Sequence, residues 1–416
     1  MGFSKQYVNK AGVVTPSTFA NAQYNELSRD EADKFIDYVI DQSFMKKNAR
    51  VERMNAPTKT IAKVGLGNKI LKPAKSAVDP GNTVSFETDQ ISLHTKEIIA
   101  IAEVSDDSLE DNIEGDAFVD HLMRMIASQA ANELDLMCMY GRRLPDAEMN
   151  NATDISQLVN GWVTLVGGGD GSLRKDKGHV IDARTSGLFF NPDGTVDTSG
   201  YITPSKFSRT FKTLPNKYRG NTQNLRFLTP IDVYQDYNDY LGSRVVATAD
   251  AYLLGVGNLT YANVPVQGVS LMPTDKPVVK IGGASTTIVT GIAGSNSLVV
   301  TAGTDINPGD SLCIDMGSAY EEIVSVSSVA TTNVVIATPL VFGHMAGAPV
   351  VEVLCNGADM LLTDYRNLIF GIQRDIRWET ERHARRRSTS FVMTLRVDTQ
   401  IENLDSMVLL KNLNVK

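Results

Sequence analysis

The sequence predicts an α+β protein of several lobes, and three features carry that reading. A long amphipathic helix runs from about Asp116 to Tyr140, and a long hairpin-like segment precedes it. The third feature is a series of short strand-like runs within Ile281 to Pro349, a stretch that contains no Lys or Arg. At 416 residues the chain is too long for one ordinary core, and its 42% apolar content is ample for two or three.

Residues 1–27 are polar and aperiodic, as expected of an arm. Ser28 and Glu31 then form a capping box ahead of Phe35, Ile36, Val39, Ile40 and Phe44, so the spacing predicts an amphipathic helix over 29–47. Residues 1–57 are thus an N-terminal arm carrying one helix. Residues 58–104 read as an extended hairpin, Thr58 to Leu71 outward, a turn around Pro73 to Gly81, and Val84 to Val104 returning. The alternation changes phase near Asp89 and Gln90, which marks a bulge. About twenty residues at roughly 3.3 Å each reach some 65 Å, whereas ordinary strands have about 5 or 6 residues. Such a hairpin outruns its own core. Polar groups on both faces midway (Glu87, Asp89, Ser92, His94, Lys96) predict that it lies on another copy of the chain.

The long helix places Phe118, Leu122, Met125, Ile126, Ala130, Leu134 and Met137 on one stripe, with Asp116 to cap it and Gly141 to end it. Arg142 and Arg143 follow where the helix dipole favours cations. At about 1.5 Å per residue it is some 37 Å long, the spine of a lobe spanning 105–145. From 146 to 273 short helices and strands alternate: a helix near Ser205 to Lys217, a strand Leu225 to Leu228, a helix near Ile231 to Leu241 and a strand near Val264 to Leu271. The Gly/Asp-rich stretch Gly167 to Gly200 reads as a surface loop within this mixed α/β lobe.

Residues 274–352 change character. Runs at Thr287–Thr290, Leu298–Thr301, Leu312–Asp315, Ile323–Val326 and Val334–Ile336 recur at about ten-residue spacing between turn signals, the pattern of a small β-sandwich or barrel inserted into the chain. Its predicted core is Val299, Leu312, Ile314, Ile323, Val324, Val334 and Ile336. The tail, 353–416, resumes strands at Asn367 to Ile372 and Phe391 to Val397 and returns to the earlier lobes.

Composition narrows the chemistry. A net charge of -8 disfavours a dedicated nucleic-acid binder. No apolar run spans a bilayer, the N-terminus lacks a signal-peptide core, and Gln6 stands where a myristoylation motif wants Ser or Thr, so cytoplasmic synthesis and no membrane contact are expected. Cys138, Cys313 and Cys355 are odd in number and far apart, which suits buried thiols better than a disulfide framework or zinc site. Gly65, Gly67 and Gly167 to Gly169 precede no Gly-Lys-Ser/Thr, and His94, His121, His179, His344 and His383 show no ligand spacing. There is no GxSxG elbow. The reading is a non-enzyme without catalytic residues, metal or cofactor.

Two charge clusters stand out. Between Lys96 and Arg124 the only charges are acidic, among them Asp106, Asp107 and Glu110; many lie at helix N-termini, where the dipole alone accounts for them. Opposite in sign are Arg374, Arg377, Arg382, Arg385, Arg386 and Arg387, interleaved with Asp375, Glu379 and Glu381, which a solvated edge strand would also explain. For an assembling protein the sharper reading is that these clusters meet across subunits and set register, the alternative being that they line an interior towards nucleic acid.

The order of elements, with the run from Ile98 to Gly141 (IIAIAEVSDDSLEDNIEGDAFVDHLMRMIASQAANELDLMCMYG) and the ending from Asn367 (NLIFGIQRDIRWETE) through Ile401 to Val408, resembles the tailed-bacteriophage major capsid proteins of the Hong Kong 97 type. The resemblance covers the chain apart from the insertion. It implies an N-terminal arm, an extended loop, a peripheral domain with the spine helix, an axial α/β domain and an inserted all-β domain. It further implies a structural subunit of hexamers and pentamers in an icosahedral or prolate virion shell around double-stranded DNA, assembled in the host cytoplasm with a portal and, for some members, a decoration protein. Some relatives begin with a long scaffolding segment; this chain enters its arm at once, which points to a separate scaffolding protein. Some relatives crosslink an extended-loop lysine to a neighbour's asparagine, and Lys69, Lys72 and Lys75 lie in the matching loop, with no acceptor assigned. Intersubunit contact candidates are therefore Lys69, Lys72, Lys75, Asp106, Asp107, Glu110, Arg385, Arg386 and Arg387. The alternatives are an encapsulin-like nanocompartment shell enclosing enzyme cargo, and a glycan-binding or hydrolytic surface protein built on the β-insertion.

Overall fold

The computed structural model describes residues 48–66, 86–105, 118–152, 154–167, 178–191, 193–220, 222–243, 259–373 and 377–415. The predicted helix over 29–47, the turn of the extended hairpin and the Asp116 cap lie outside these residues. In chain order the strands and helices begin with β1 (Arg50–Met54), β2 (Thr58–Leu66), β3 (Phe86–His94), β4 (Lys96–Ser105), α1 (Phe118–Tyr140) and α2 (Trp162–Val166). Next come β5 (His179–Asp182), α3 (Pro204–Thr213), α4 (Asn216–Arg219), β6 (Leu225–Pro230), α5 (Ile231–Gly242), β7 (Thr260–Tyr261) and β8 (Val264–Val269). The insertion follows with β9 (Lys276–Val279), β10 (Ser285–Gly291), β11 (Ser297–Val300), β12 (Ser311–Ile314), β13 (Glu322–Ala330) and β14 (Asn333–Ile336). The chain closes with β15 (Pro349–Asp364), β16 (Leu368–Gln373), β17 (Arg377–His383), β18 (Ser388–Ile401) and β19 (Val408–Asn414).

Two compact units result, Met1–Ile61 with Ser92–Asp135 and Phe370–Asp398, and Ala62–Ile91 with Leu136–Ile369 and Thr399–Lys416. The first unit is organised by a sheet of β1, β16, β18 and β17, with β4 also on β18. Here the extended-hairpin expectation needs correction. β2 pairs with β3, which ends at His94; β4 instead runs antiparallel to β18 from Lys96↔Val397 to Ser105↔Ser388. Returning strand and sheet strand therefore abut in sequence, separated only by Thr95. Gly371 fits where a Cβ would come 3.2 Å from Met54 Sδ and 3.3 Å from Leu93 Cδ2, so the sheet packs closely there.

Among the side chains described, burial of the spine helix grows towards its C-terminal end, with Ile126 and Ala130 half-buried. Ala131, Leu134, Met137 and Cys138 are buried, whereas Met125, assigned to the stripe, is 58% exposed. The helix ends because Gly141 meets Gly161: the Gly161 amide donates to the Gly141 carbonyl at 2.8 Å, and a Cβ on Gly161 would come 2.6 Å from the Gly141 nitrogen. That contact delivers Trp162, fully buried, whose Nε1 donates to the carbonyls of Ile369 (3.3 Å) and Gln400 (3.2 Å).

The second unit is built on a mixed sheet ordered β5-β19-β15-β6-β8-β7, with β5–β19 and β6–β8 parallel. α3 and α5 cover it through Phe207, Val233 and Tyr237, packed on Phe227, Val266, Met360, Leu362 and Leu410. The Phe207 ring meets Phe227 edge-on at 5.0 Å and Tyr237 at 4.5 Å. The stretch Gly167 to Gly200, expected as a loop, contains β5 and buries Phe189; four residues between turn signals carry too little alternation to announce a strand.

β10-β11-β14-β13-β12-β15 form a wholly antiparallel ladder that closes on itself, because β10 also pairs with β15 (Ser285↔Val351). Closure removes both sheet edges, and a barrel of this strand number is filled by its own side chains. Its core holds Ile288, Leu298, Val300, Leu312, Ile314, Val324, Val334, Ile336 and Leu340. Two expected core positions are corrected: Ile323 is 42% exposed, and Val300 rather than Val299 points inward, since β11 is read in the opposite phase. β9 pairs with Val353–Gly357 of β15, outside the barrel ladder, with a bulge at Gly357 where a Cβ would meet Val278 Cγ2 at 2.1 Å. Of the thiols, Cys138 and Cys313 are buried and Cys355 is exposed, against the expectation for the third.

Candidate assembly surfaces

Of the predicted contact residues, Lys69, Lys72, Lys75, Asp106, Asp107 and Glu110 lie outside the described residues. Arg385, Arg386 and Arg387 occupy the tight turn joining β17 to β18, all exposed, with Arg387 at φ 50° and His383 opposite Ser388. Neither Arg385 nor Arg386 has an ion-pair partner among the described residues. Ser388 also pairs with Ser105, the residue that precedes Asp106. The two opposite charge clusters thus start from neighbouring positions of one sheet.

The sequence reading missed the surface of β4. Its burial alternates over all ten residues, and the open face carries Glu97, Ile99, Ile101 and Glu103, with the two isoleucines 58% and 65% exposed. Arg396 grips Glu97 through Nε (3.1 Å) and Nη2 (2.9 Å), and Ser388 Oγ donates to Glu103, so both carboxylates are held while the apolar pair between them is bare. The alternation Ile99, Ile101 was visible; what hid the surface was its assignment to the hairpin.

The barrel is tied to the segment after α1 by its loop Asp315–Glu321. Arg142 pairs with Glu321 and donates to the Ser318 carbonyl at 3.2 Å, and Tyr320 donates to Glu148. Arg142, read as a helix-end cation, is therefore a barrel anchor. Burial, reinforced by the bond to Glu148, pushes the Tyr320 hydroxyl up to about 12, so it stays a donor. At the far side of the same groove, of about 840 Å³, Lys276 pairs with Asp359 and lies 4.1 Å over the Tyr140 ring. Burial holds the Tyr140 hydroxyl well above its usual range, with Asp359 adding to the effect.

Neither thiol of this region is activated as a nucleophile. Burial raises Cys313 to about 12, with Glu321 contributing, and burial followed by the Asp275 charge raises Cys355; both thiols are the wrong way from thiolate. Among the described residues no three His, Cys, Asp or Glu side chains are grouped to hold a metal, and no helix is long and apolar enough to cross a membrane.

No family model matches the chain. In sequence it is 28% identical over 271 residues to YqbE, a predicted prophage capsid protein of Bacillus subtilis (strain 168), an alignment covering 64% of this chain and 76% of that protein. In structure it matches a chain of the satellite phage P4 procapsid that includes the size determination (Sid) protein, with a TM-score of 0.55, 9% identity and 96% of each chain covered; at that identity the match speaks for the fold. The chain is thus similar in sequence to a predicted prophage capsid protein and shares its fold, of the Hong Kong 97 capsid type, with a procapsid chain matched along nearly its whole length.

Proposed function

We propose that the chain is the major capsid subunit of a tailed phage, assembling into the hexamers and pentamers of a closed shell around double-stranded DNA. The observation that carries this reading is the coincidence of a capsid relative in sequence with a procapsid fold over 96% of the chain. The physical features agree. β4 leaves two isoleucines bare, and Arg385 and Arg386 stand exposed at a hairpin tip; such groups gain when a neighbour covers them. A chain of net charge -8 holds packaged DNA only by weak, local contact. The barrel, without Lys or Arg from Ile281 to Pro349, faces outward, because its carboxylates would repel phosphate inside. A separate scaffolding protein, a portal and a decoration protein are the expected partners, and the extended loop with Lys69, Lys72 and Lys75 reaches the adjacent subunit.

Co-expression with the neighbouring scaffold gene and electron microscopy test the reading: closed shells of uniform size are expected. Particles filled with a host enzyme in place of nucleic acid would instead favour a nanocompartment, and failure to form shells under any scaffold condition would overturn both. Deleting residues between Ile70 and Val84 should leave a soluble, cooperatively melting subunit that closes no shells. Normal particles from that deletion would remove the loop from assembly.

A further inference from the structure

We infer that the uncharged end of the barrel, bearing Ile292, Val341 and Met345, is a homotypic contact that joins barrels of neighbouring subunits on the outside of the assembled shell. The inference rests on the capsid reading and adds to it a site and a partner.

The three side chains are 65%, 62% and 84% exposed, among the most exposed large apolar groups of the described chain. They are brought together by backbone pairing. Gly291 and His344 form an antiparallel bridge, with the His344 amide donating to the Gly291 carbonyl at 3.0 Å, and the Gly294 amide donates to the Leu340 carbonyl at 2.6 Å. His344 is buried, so its ladder neighbours Ile292 and Met345 fall on the outer side. The strap that carries Val341 and Met345 is fixed from beneath. His344 sits between Asp315 (Nδ1, 2.7 Å) and Glu322 (Nε2, 3.3 Å), and Glu322 also accepts from the amides of Val341 (2.8 Å) and Phe342 (3.3 Å). A strap held by four polar contacts presents its apolar residues already ordered, which lowers the entropy cost of covering them.

Charge selects the occupant. From Gly282 to Thr304 there is no charged residue, and from Ile323 to Val351 the only titratable side chain is the buried His344. The patch thus offers nothing for phosphate, an anionic membrane surface or an oppositely charged protein to grip. The same patch on a second copy meets it without bringing like charges into the contact, although both chains are acidic overall, because neither Gly282–Thr304 nor the strap that carries Val341 and Met345 has an acidic or basic side chain at the surface. A self-complementary patch is what a two-fold contact requires. Area sets the setting: three side chains fall far short of the roughly 800 Å² per partner of a standard stable interface. The contact therefore forms only between subunits already held side by side, where effective concentration replaces area.

The test uses shells assembled from the full chain. In a Cys355→Ser background, Met345→Cys should be joined to a second subunit by a short bis-maleimide in assembled shells and remain monomeric in unassembled subunits. The triple variant Ile292→Ser, Val341→Ser, Met345→Ser should melt normally as a free subunit but give shells that dissociate at lower denaturant. Shells that form yet show neither crosslinking nor altered dissociation overturn this inference alone, as does crosslinking of Met345→Cys only to another protein. Failure of the unmodified chain to form shells overturns the capsid reading on which it rests.

Discussion

The buried pair Asp197–Lys206 shows how much of this chain's stability sits in single residues. Lys206 is wholly inaccessible and Asp197 nearly so; their ion pair is 2.8 Å, and Lys206 also donates to the Tyr201 carbonyl at 2.7 Å. Burial alone would push the Asp197 carboxyl up, but the hydrogen bonds from Lys206 and Ser199 and the Lys206 charge outweigh it and hold the group below its ordinary value of 3.8. Burial pulls Lys206 down against the pull of Asp197. A carboxylate depressed in the fold contributes stability that is present in full above its unfolded pKa and is lost as pH falls through the folded one. Acid unfolding of the second unit should accordingly steepen below about pH 4, and Asp197→Asn should flatten that limb while costing about 3–5 kcal/mol at neutral pH, because it strands a buried ammonium. Denaturant melts at pH 7 and pH 3 check both; an unchanged neutral stability would mean that Lys206 finds another partner. Thr331 offers the opposite sign. It turns the chain between β13 and β14 at φ 53°, where a β-branched residue is strained by about 1–2 kcal/mol. Thr331→Gly should raise the barrel's melting temperature, and a fall would show that the hairpin depends on the threonine side chain.

At the scale of elements, the spine helix is the most exposed to test. Leu134 is 2% exposed, so Leu134→Ala should cost about 2–5 kcal/mol by leaving a cavity, whereas Met125→Ala should change subunit stability by less than about 0.5 kcal/mol. Equal effects from both would mean that the helix is buried along another face. This helix was legible because 3.6-residue periodicity is a local property, and so were the short barrel strands, whose alternation and turn residues lie within a few positions of each other. What the sequence hid was pairing. β3 and β4 alternate with the same period and differ only in partner, β2 for one and β18 for the other, and no local pattern records that choice. β15 was hidden for a related reason: the expected boundary between insertion and tail at 352 and 353 falls inside it, yet the 16-residue strand runs on, serving the barrel with one end and the mixed sheet with the other. Arg142 looked like a dipole cation because its partner Glu321 is far away in sequence.

For the whole molecule the decisive question is whether the arginine turn acts within a subunit or between subunits. Ser105 lies opposite Ser388, so the acidic run and the arginines begin at one corner of the same sheet, and within-chain pairing is available to the residues nearest that corner. Against a purely internal role, Arg385 and Arg386 are exposed and unpaired among the described residues, at the tip of a hairpin that extends past Ser105. We therefore expect them to meet the acidic run of a neighbour. Changing Arg385, Arg386 and Arg387 to Glu should weaken assembly, as should changing Asp106, Asp107 and Glu110 to Lys, and combining both sets in one chain should restore it in part. That recovery alone does not separate the two geometries, since an inverted internal pair would also recover. Mixing the two single-sided variants does separate them. Across a subunit boundary, the unchanged arginines of one variant face the unchanged carboxylates of the other, so mixed shells should form where neither variant assembles alone. If the clusters pair only inside each chain, every subunit in the mixture keeps its own repulsion, the yield of shells by light scattering stays at that of the single variants, and the intersubunit role is lost.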